Sequence, residues 1–231
     1  MQLFYQPGIP NGIHHLDPDE SRHAVKVLRL KEGDPFSVTD GKGVLYEAQI
    51  LLAAFPQCTF RILKTHVQPI RKFHRHIAIA PAKKADRIEW FVEKAVELGI
   101  DQISFILCAN SERKGLNTER LEKIAASAMK QSQCSWLPAL TALQPFKNIL
   151  ACSADQKFIA FVDFQNPQHL KSLARPDGQY LVLIGPEGDF TPEELQQAQQ
   201  YGFQKVSLGA NRLRTETAGL AACHILNLVN L

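Results

Sequence analysis

The clearest indication of the architecture is Tyr180-Leu-Val-Leu-Ile-Gly-Pro-Glu-Gly-Asp-Phe-Thr-Pro-Glu-Glu194. Its first five residues form an uninterrupted apolar run, which is typical of a strand buried on both faces of a parallel sheet. A glycine-containing loop follows. Thr191, Pro192 and Glu194 then predict a helix start, because they supply an N-cap, a proline at the first helical position and a capping box. A buried strand that leads through a loop into a helix indicates an α/β architecture.

The same alternation of strands and helices extends from residue 73 to residue 231. Further strands are predicted at Ile77–Pro81, Gln102–Leu107, Lys157–Val162 and Lys205–Leu208. Apolar residues with helical spacing predict helices at Asp86–Leu98, at Glu119–Gln131 and from about Thr215 to the C-terminus. We expect Trp90 to belong to the buried stripe of the first of these helices and Cys223 to be a core residue.

Residues 1–72 predict a separate, β-rich domain, followed by an α/β domain at 73–231. Short strands are predicted at Pro35–Thr39, Val44–Leu51 and Gln57–Leu63, and the Asp40-Gly turn between the first two favours a hairpin. We expect a short helix at Ser21–Arg29 and a linker at Gln68–His74.

Composition favours a soluble, cytoplasmic protein. The 231 residues include 26 Lys and Arg against 23 Asp and Glu, with 45% hydrophobic residues, which excludes a disordered or fibrous chain. No apolar run reaches the roughly 18–20 residues of a membrane span, and the N-terminus lacks the pattern of a signal peptide. The five cysteines form no CxxC pair, as expected for free thiols in a reducing compartment.

The positive charge is unevenly distributed. No acidic residue lies between Glu47 and Asp86, whereas seven basic residues do: Arg61, Lys64, Arg71, Lys72, Arg75, Lys83 and Lys84. Such a surface attracts a polyanion. A solvated linker together with the outside of a β-rich domain would account for the same charges.

Two loops leave the carboxyl ends of predicted strands, where open α/β sheets bind ligands. They are Gly185–Phe190 and Leu208–Ala218. Each could be only a connector, and Arg214 and Glu216 could be only a structural ion pair at a helix start. Two loops at one edge favour a pocket lined mainly by main-chain groups, which suits an adenine-bearing ligand. The sequence lacks GxGxxG, a P-loop, HExxH, a Cys/His metal cluster and GxSxG.

These two loops resemble the signature loops of the bacterial 16S ribosomal RNA (uracil-N3) methyltransferases, which belong to the SPOUT superfamily. The resemblance covers nearly the whole chain. It includes His23-Ala-Val-Lys-Val-Leu-Arg-Leu-Lys-Glu-Gly-Asp34, Asp86–Gly99, Ser111-Glu-Arg113 and Met129–Ser132. The chain departs from the family pattern at Asp189, where many members have glycine, at Ala210-Asn211 and Leu213, and after Gln131, where a basic residue is absent.

The resemblance implies a PUA-like RNA-binding β-barrel at 1–72 and a SPOUT methyltransferase domain with a C-terminal trefoil knot at 73–231. It also implies a homodimer, S-adenosylmethionine as cofactor, no metal, and 16S ribosomal RNA of the small subunit as substrate, methylated at N3 of a uridine. The cofactor-binding residues implied are Ile184, Gly185, Pro186, Glu187, Gly188, Leu208, Gly209, Leu213, Thr217 and Ala218.

The candidate catalytic residues are Arg214, as a cation near the reacting base, and Glu216, which would orient that arginine or accept the proton. Together with the basic linker, the candidate RNA-binding residues are Arg22, His23, Arg29, Lys83, Lys84 and Arg87. Two other functions fit the sequence: a SPOUT methyltransferase for another RNA or base atom, and a non-catalytic RNA-binding assembly factor. A dehydrogenase is more distant, because its phosphate loop is absent.

Overall fold

The structure is a computed structural model that describes residues 2–163 and 168–231. The chain divides into two compact units. The first contains the residues up to Ile70 together with Ala126–Leu137, and the second contains Arg71–Ala125 and Pro138–Leu231.

The first unit is built on a four-stranded sheet of order β1-β2-β3-β4. Its strands are β1 (Leu3–Tyr5), β2 (Pro35–Thr39), β3 (Val44–Leu52) and β4 (Thr59–Val67). β1 runs parallel to β2, and the other pairs are antiparallel. Phe4, Phe36 and Phe60 pack edge to face in the core of this unit. The antiparallel pairing of β2 with β3 confirms the predicted hairpin around Asp40, whereas the sequence does not predict β1.

The helix of the first unit begins earlier than its predicted start at Ser21. Helix α1 (Pro18–Arg22) is capped by the Asp17 side chain, which accepts a hydrogen bond from the Glu20 amide. A π-helical turn at His23–Val27 continues it. A 3₁₀ turn at Ile9–Asn11 precedes α1 in the first unit.

The segment Ala126–Leu137 lies with the first unit, whereas the sequence places it in the α/β domain. The Gly43 amide donates to the carbonyl of Ser135, and the Leu137 amide donates to the carbonyl of Gly41. These pairings join residues almost a hundred positions apart, so local sequence patterns do not reveal them.

The second unit contains a seven-stranded sheet whose strand pairs, among the residues described, are all parallel. Its order is β11-β9-β10-β5-β6-β7, and β8 also pairs with β6. The strands are β5 (Phe73–Ile79), β6 (Gln102–Leu107), β7 (Ala139–Leu140), β8 (Gln144–Pro145), β9 (Gln156–Ala160), β10 (Gly178–Ile184) and β11 (Gln204–Val206). The prediction of a mixed α/β fold with a parallel sheet is confirmed.

Six helices follow β5 along the described ranges of the chain. They are α2 (Ala85–Glu97), α3 (Thr118–Gln131), α4 (Phe146–Leu150), α5 (Leu170–Leu173), α6 (Pro192–Gln200) and α7 (Thr215–Val229). The Thr191–Glu194 capping box forms as predicted. On α2, Ile88, Phe91 and Val92 are buried, but Trp90 is 41% exposed, so its placement in the core was wrong. Trp90 lies two positions from Ile88 and one from Phe91, which turns it off the buried face.

Part of the predicted linker is structured. β5 begins at Phe73, and Arg71 and Arg75 both pair with Asp101, at 3.0 Å each. The side chain of Arg75 is only 4% exposed. These two arginines hold the start of β5 in place, and Arg75 is too buried to bind phosphate. None of the helices described is long and apolar enough to cross a membrane.

Candidate functional site

A cavity of about 590 Å³ lies at the carboxyl ends of three neighbouring parallel strands. β10 pairs with β9 on one side, and β9 pairs with β11 on the other. The last residues of the three strands, Ala160, Ile184 and Val206, all line the cavity. This is the edge of a parallel sheet at which ligands bind, and the volume falls in the range of small-molecule sites.

The loop after β10 forms one wall of the cavity, with Gly185, Pro186 and Glu187 among the lining residues. A Cβ atom at Gly185 would lie 3.1 Å from the ring of Phe190, so the loop turns tightly against that ring. The Asn110 side chain donates to the carbonyls of Gly188, at 3.2 Å, and Asp189, at 3.1 Å. The loop is therefore held from outside the cavity.

The segment between β11 and α7 forms the second wall and lies against the first. Gly209 has a φ of +149°, a conformation that side-chain-bearing residues rarely adopt. The Thr215 hydroxyl donates to the Gly185 carbonyl at 3.1 Å, and Arg212 Nη2 donates to the Glu187 carbonyl at 3.3 Å. These two bonds join the loops that the sequence predicted to meet at one edge.

A third wall was missed by the sequence analysis. Phe161, Val162 and Asp163 follow β9 and line the cavity. A signal was available, because the carboxyl end of the predicted strand Lys157–Val162 must lie at the same edge as the other two. The run after it contains no glycine motif, and so it was not singled out.

Asp189 connects the first and third walls. It has a φ of +62°, and its carboxylate accepts from the Phe190 amide at 2.8 Å and from the Val162 amide at 3.5 Å. Burial raises the pKa of this carboxyl group, against the lowering effect of the two amides and of Arg212. The departure from the family pattern at this position thus places a carboxylate in the lining.

Arg87 and Glu216 form an ion pair next to the cavity. Arg87 Nε lies 3.7 Å from Glu216 Oε1, and Arg87 lines the cavity. The Glu216 side chain is only 10% exposed, and its Oε2 has no hydrogen-bond partner among the residues described. The structure therefore pairs Glu216 with Arg87, a predicted RNA-binding residue, and not with Arg214.

The structure brings most of the predicted cofactor-binding residues together. Those that line the cavity are Ile184, Gly185, Pro186, Glu187, Leu208, Gly209, Leu213 and Ala218. Gly188 and Thr217 are exposed and are not among the lining residues. Arg214 is exposed, lines the cavity and is the N-cap of α7, whereas Glu216 is buried behind the lining. The roles of all these residues stay predictions.

The predicted RNA-binding residues lie in both units. Arg22 and Arg29 are exposed in the first unit, where His23 is half-buried. Lys83 and Lys84 are exposed before α2 in the second. Lys83 Nζ pairs with Glu112 at 2.7 Å, and the Lys83 amide donates to Glu187. Within the described ranges, no group of three or more His, Cys, Asp or Glu residues could hold a metal ion.

Comparisons with known proteins agree with this geometry. The family described as RNA methyltransferase domain matches residues 69–227, and the RNA methyltransferase PUA domain matches residues 16–63. Ribosomal RNA small subunit methyltransferase E from Synechocystis sp. is 31% identical over 211 residues, which are 87% of this chain and 68% of that protein.

Two solved structures match the whole fold. A probable rRNA-methyltransferase from Porphyromonas gingivalis has a TM-score of 0.93 at 39% identity, over 100% of this chain and 98% of that one. A ribosomal RNA small subunit methyltransferase E from Neisseria gonorrhoeae has a TM-score of 0.88 at 26% identity, with the same coverage. The Neisseria structure is bound to S-adenosylmethionine, the cofactor that the sequence predicts here.

The parallel sheet with a cavity at its strand ends, preceded by a β-rich unit, is the architecture of an α/β methyltransferase with an accessory domain. The chain belongs to the RNA methyltransferase family, whose domain covers residues 69–227, and carries the associated PUA domain at its N-terminal side. The family predicted from the motifs is confirmed.

Proposed function

We propose that this protein transfers a methyl group from S-adenosylmethionine to N3 of a uridine in the 16S ribosomal RNA of the small ribosomal subunit. The observation that carries the proposal is the cavity at the ends of β9, β10 and β11. Both predicted loops line this cavity, and Arg214 stands in its lining. Family membership and the names of the relatives support an RNA substrate in the small subunit.

The lining fits S-adenosylmethionine. That cofactor combines an adenine ring with a ribose and with an amino-acid part that carries charges of both signs. Apolar side chains of Leu208 and Leu213 offer faces for the ring, and main-chain groups of the two loops offer hydrogen bonds to its edges. Charges of both signs are present as well, on Arg87, Arg212, Asp163 and Asp189. When bound, the cofactor supplies an electrophilic methyl group.

We assign Arg214 to stabilising the negative charge on the reacting base. N3 of uracil is an imide nitrogen that becomes a good nucleophile only when it loses its proton, and the resulting negative charge needs a partner. The exposed Arg214 guanidinium at the start of α7 provides a permanent cation at the cavity. Such a cation stabilises charge that develops in the transition state.

Glu216 has an environment suited to holding a neighbouring cation. Its Oε2 is buried without a partner among the described residues, so this oxygen retains free lone pairs. Its Oε1 faces Arg87. Because Glu216 is buried behind the lining, we assign it to holding Arg87 in position at the cavity.

We assign the exposed basic residues outside the cavity to binding the phosphate groups of the RNA substrate. N3 lies on the Watson–Crick edge, so the target base has to be unpaired when it enters the site. Arg22, His23 and Arg29 in the first unit, and Lys83 and Lys84 in the second, are each assigned to phosphates of the RNA substrate. Arg87 would act closer to the reacting base, because it lines the cavity.

The proposal also covers the barrel, the knot, the oligomeric state and the location of the protein in the cell. We expect the first unit to form a closed PUA-like barrel, the second to contain a SPOUT trefoil knot, and two chains to form a homodimer in the cytoplasm. Exposed Trp90 on α2 and exposed Leu228 on α7 support the dimer, because these two helices pack together and leave apolar side chains on the surface. Light scattering of the purified protein tests the dimer.

The experiment is methyl transfer from labelled S-adenosylmethionine to small ribosomal subunits that lack the modification, with the product nucleoside identified by mass spectrometry. We expect N3-methyluridine. The matched control is the Arg214→Ala variant, which should bind the cofactor but methylate slowly.

Each other outcome changes the assignment in a defined way. A different methylated nucleoside would keep the cofactor and move the specificity to another base. No transfer together with no binding of S-adenosylmethionine in calorimetry would contradict the enzymatic function and favour an RNA-binding assembly factor.

A further inference from the structure

Two cations in the first unit lie over the ring of an exposed phenylalanine. Phe55, in the loop between β3 and β4, is 43% exposed. Lys26 Nζ lies 4.4 Å from the centre of its ring, and Arg22 Cζ lies 5.7 Å from it. Arg22 and Lys26 are four residues apart on a continuous helical segment, so they lie on one face of it. We call these three residues the Phe55 cluster.

The two cations of the Phe55 cluster are not neutralised. In the ranges that the structure describes, no carboxylate lies within ion-pair distance of either side chain. Of the two acidic residues on the same helix, Glu20 is half-buried and forms an ion pair with Lys130. The cluster is therefore positively charged, and Phe55 remains 43% exposed with the two cations over its ring.

An anionic ligand with flat, apolar groups matches this surface. An acidic protein segment would match the two cations but would leave the exposed ring unused. Single-stranded RNA offers phosphates for the cations and bases that stack on an aromatic ring, and that combination is the usual basis of single-strand binding.

We infer that the Phe55 cluster is a binding site for an unpaired nucleotide of the RNA substrate, with a base stacked on Phe55 and the adjoining phosphates held by Arg22 and Lys26. This inference rests on the proposed function, since it assumes an RNA substrate. It assigns Phe55 and Lys26, which the sequence did not single out, to RNA positioning. The methyl-transfer site is formed by other residues.

The test compares Phe55→Ala, Phe55→Leu and Phe55→Tyr with wild type, using full-length protein. Two substrates are used: unmodified small subunits and the protein-free small-subunit rRNA. Loss of one stacked base predicts about tenfold weaker RNA binding for the Ala and Leu variants, and the Tyr variant should restore it. KM for RNA should rise while kcat and the affinity for S-adenosylmethionine stay unchanged. Leu63→Ala is the matched control, because Leu63 is an exposed apolar residue, 51% exposed, on β4.

A second variant reads out stacking directly. Phe55→Trp should lose part of its added tryptophan emission when RNA binds, which a purely structural role for the side chain would not produce. Lys26→Gln should weaken RNA binding. It should also lower the slope of log affinity against log salt concentration by about one, as expected for the loss of one phosphate contact.

The outcomes separate this inference from the proposed function. If wild type neither binds nor methylates RNA, the proposed function fails, and the inference fails with it. If wild type is active and the Ala and Leu variants bind protein-free rRNA within about twofold of wild type, the inference alone is overturned. A defect seen with assembled subunits but absent with protein-free rRNA also overturns it, because the surface would then contact a ribosomal protein.

Discussion

Arg87 and Glu216 face each other across 3.7 Å beside the cavity, and the second carboxylate oxygen of Glu216 is buried without a partner in the described part of the chain. A buried carboxylate that loses its cation is costly, whereas removal of both charges is nearly neutral. The arginine therefore has a structural task in addition to any contact with the RNA.

Arg87→Ala should lower the free energy of unfolding by roughly 1–3 kcal/mol, because Glu216 would remain buried without its cation. Urea denaturation measures this. Glu216→Gln in the Arg87→Ala background should recover part of the loss, and the double-mutant cycle gives the coupling between the two residues. Equal stability of Arg87→Ala and wild type would show that the pair contributes nothing.

Arg214→Ala should reduce the rate of methyl transfer by roughly 10²–10³-fold, the usual cost of losing one group that stabilises transition-state charge. Arg214 is exposed, so the fold should be unaffected. Single-turnover kinetics on small subunits and calorimetry with S-adenosylmethionine separate the rate from binding. Arg214→Lys keeps the charge and should recover part of the rate. Full turnover by the alanine variant would remove Arg214 from catalysis.

Local patterns predicted the elements of this fold because their causes lie within a few residues. The Thr191–Glu194 capping box and the apolar stripe of α2 are of this kind. Long-range pairings were not predictable in that way. The parallel pairing of β1 with β2 and the hydrogen bonds of Ser135 and Leu137 with the Asp40-Gly turn region join distant segments, and no single-residue signal marks them.

The candidate site was predicted to the extent that its loops contain recognisable glycines. The two glycine-containing loops do line one cavity. The third wall, Phe161–Asp163, has no such signal, and the ion pair of Glu216 with Arg87 depends on the packing of α7 against α2. Side-chain partners across two helices follow from tertiary packing, so the sequence alone suggested the wrong partner, Arg214.

Asn110→Ala should weaken the binding of S-adenosylmethionine by roughly tenfold. Its side chain donates to two carbonyls of the cavity loop, and loss of a hydrogen bond costs about 1 kcal/mol. Calorimetry measures the affinity. Asn117→Ala is the control, because Asn117 accepts from the Arg120 amide at the start of α3, in the same unit but away from the cavity lining. Unchanged affinity in both variants would show that Asn110 does not support the loop.

Acid should destabilise the protein through His76. This residue is buried on β5, 2.7 Å from the Ser104 hydroxyl, and burial together with the charge of His74 lowers its pKa to about 4. The unfolded chain, with an ordinary histidine pKa, then binds more protons than the folded chain between about pH 6.5 and pH 4. Stability is therefore present at neutral pH and is lost as the pH falls through this window.

The expected loss from His76 is roughly 2 kcal/mol between pH 7 and pH 5. The measurement is urea denaturation of wild type and His76→Gln at both pH values, since glutamine does not titrate and can still bond to Ser104. Carboxylates and the other histidines contribute equally to both proteins, so the difference between the two pH dependences belongs to His76. Parallel pH dependences of the two proteins would mean that His76 is already as accessible to protons in the folded state as in the unfolded one.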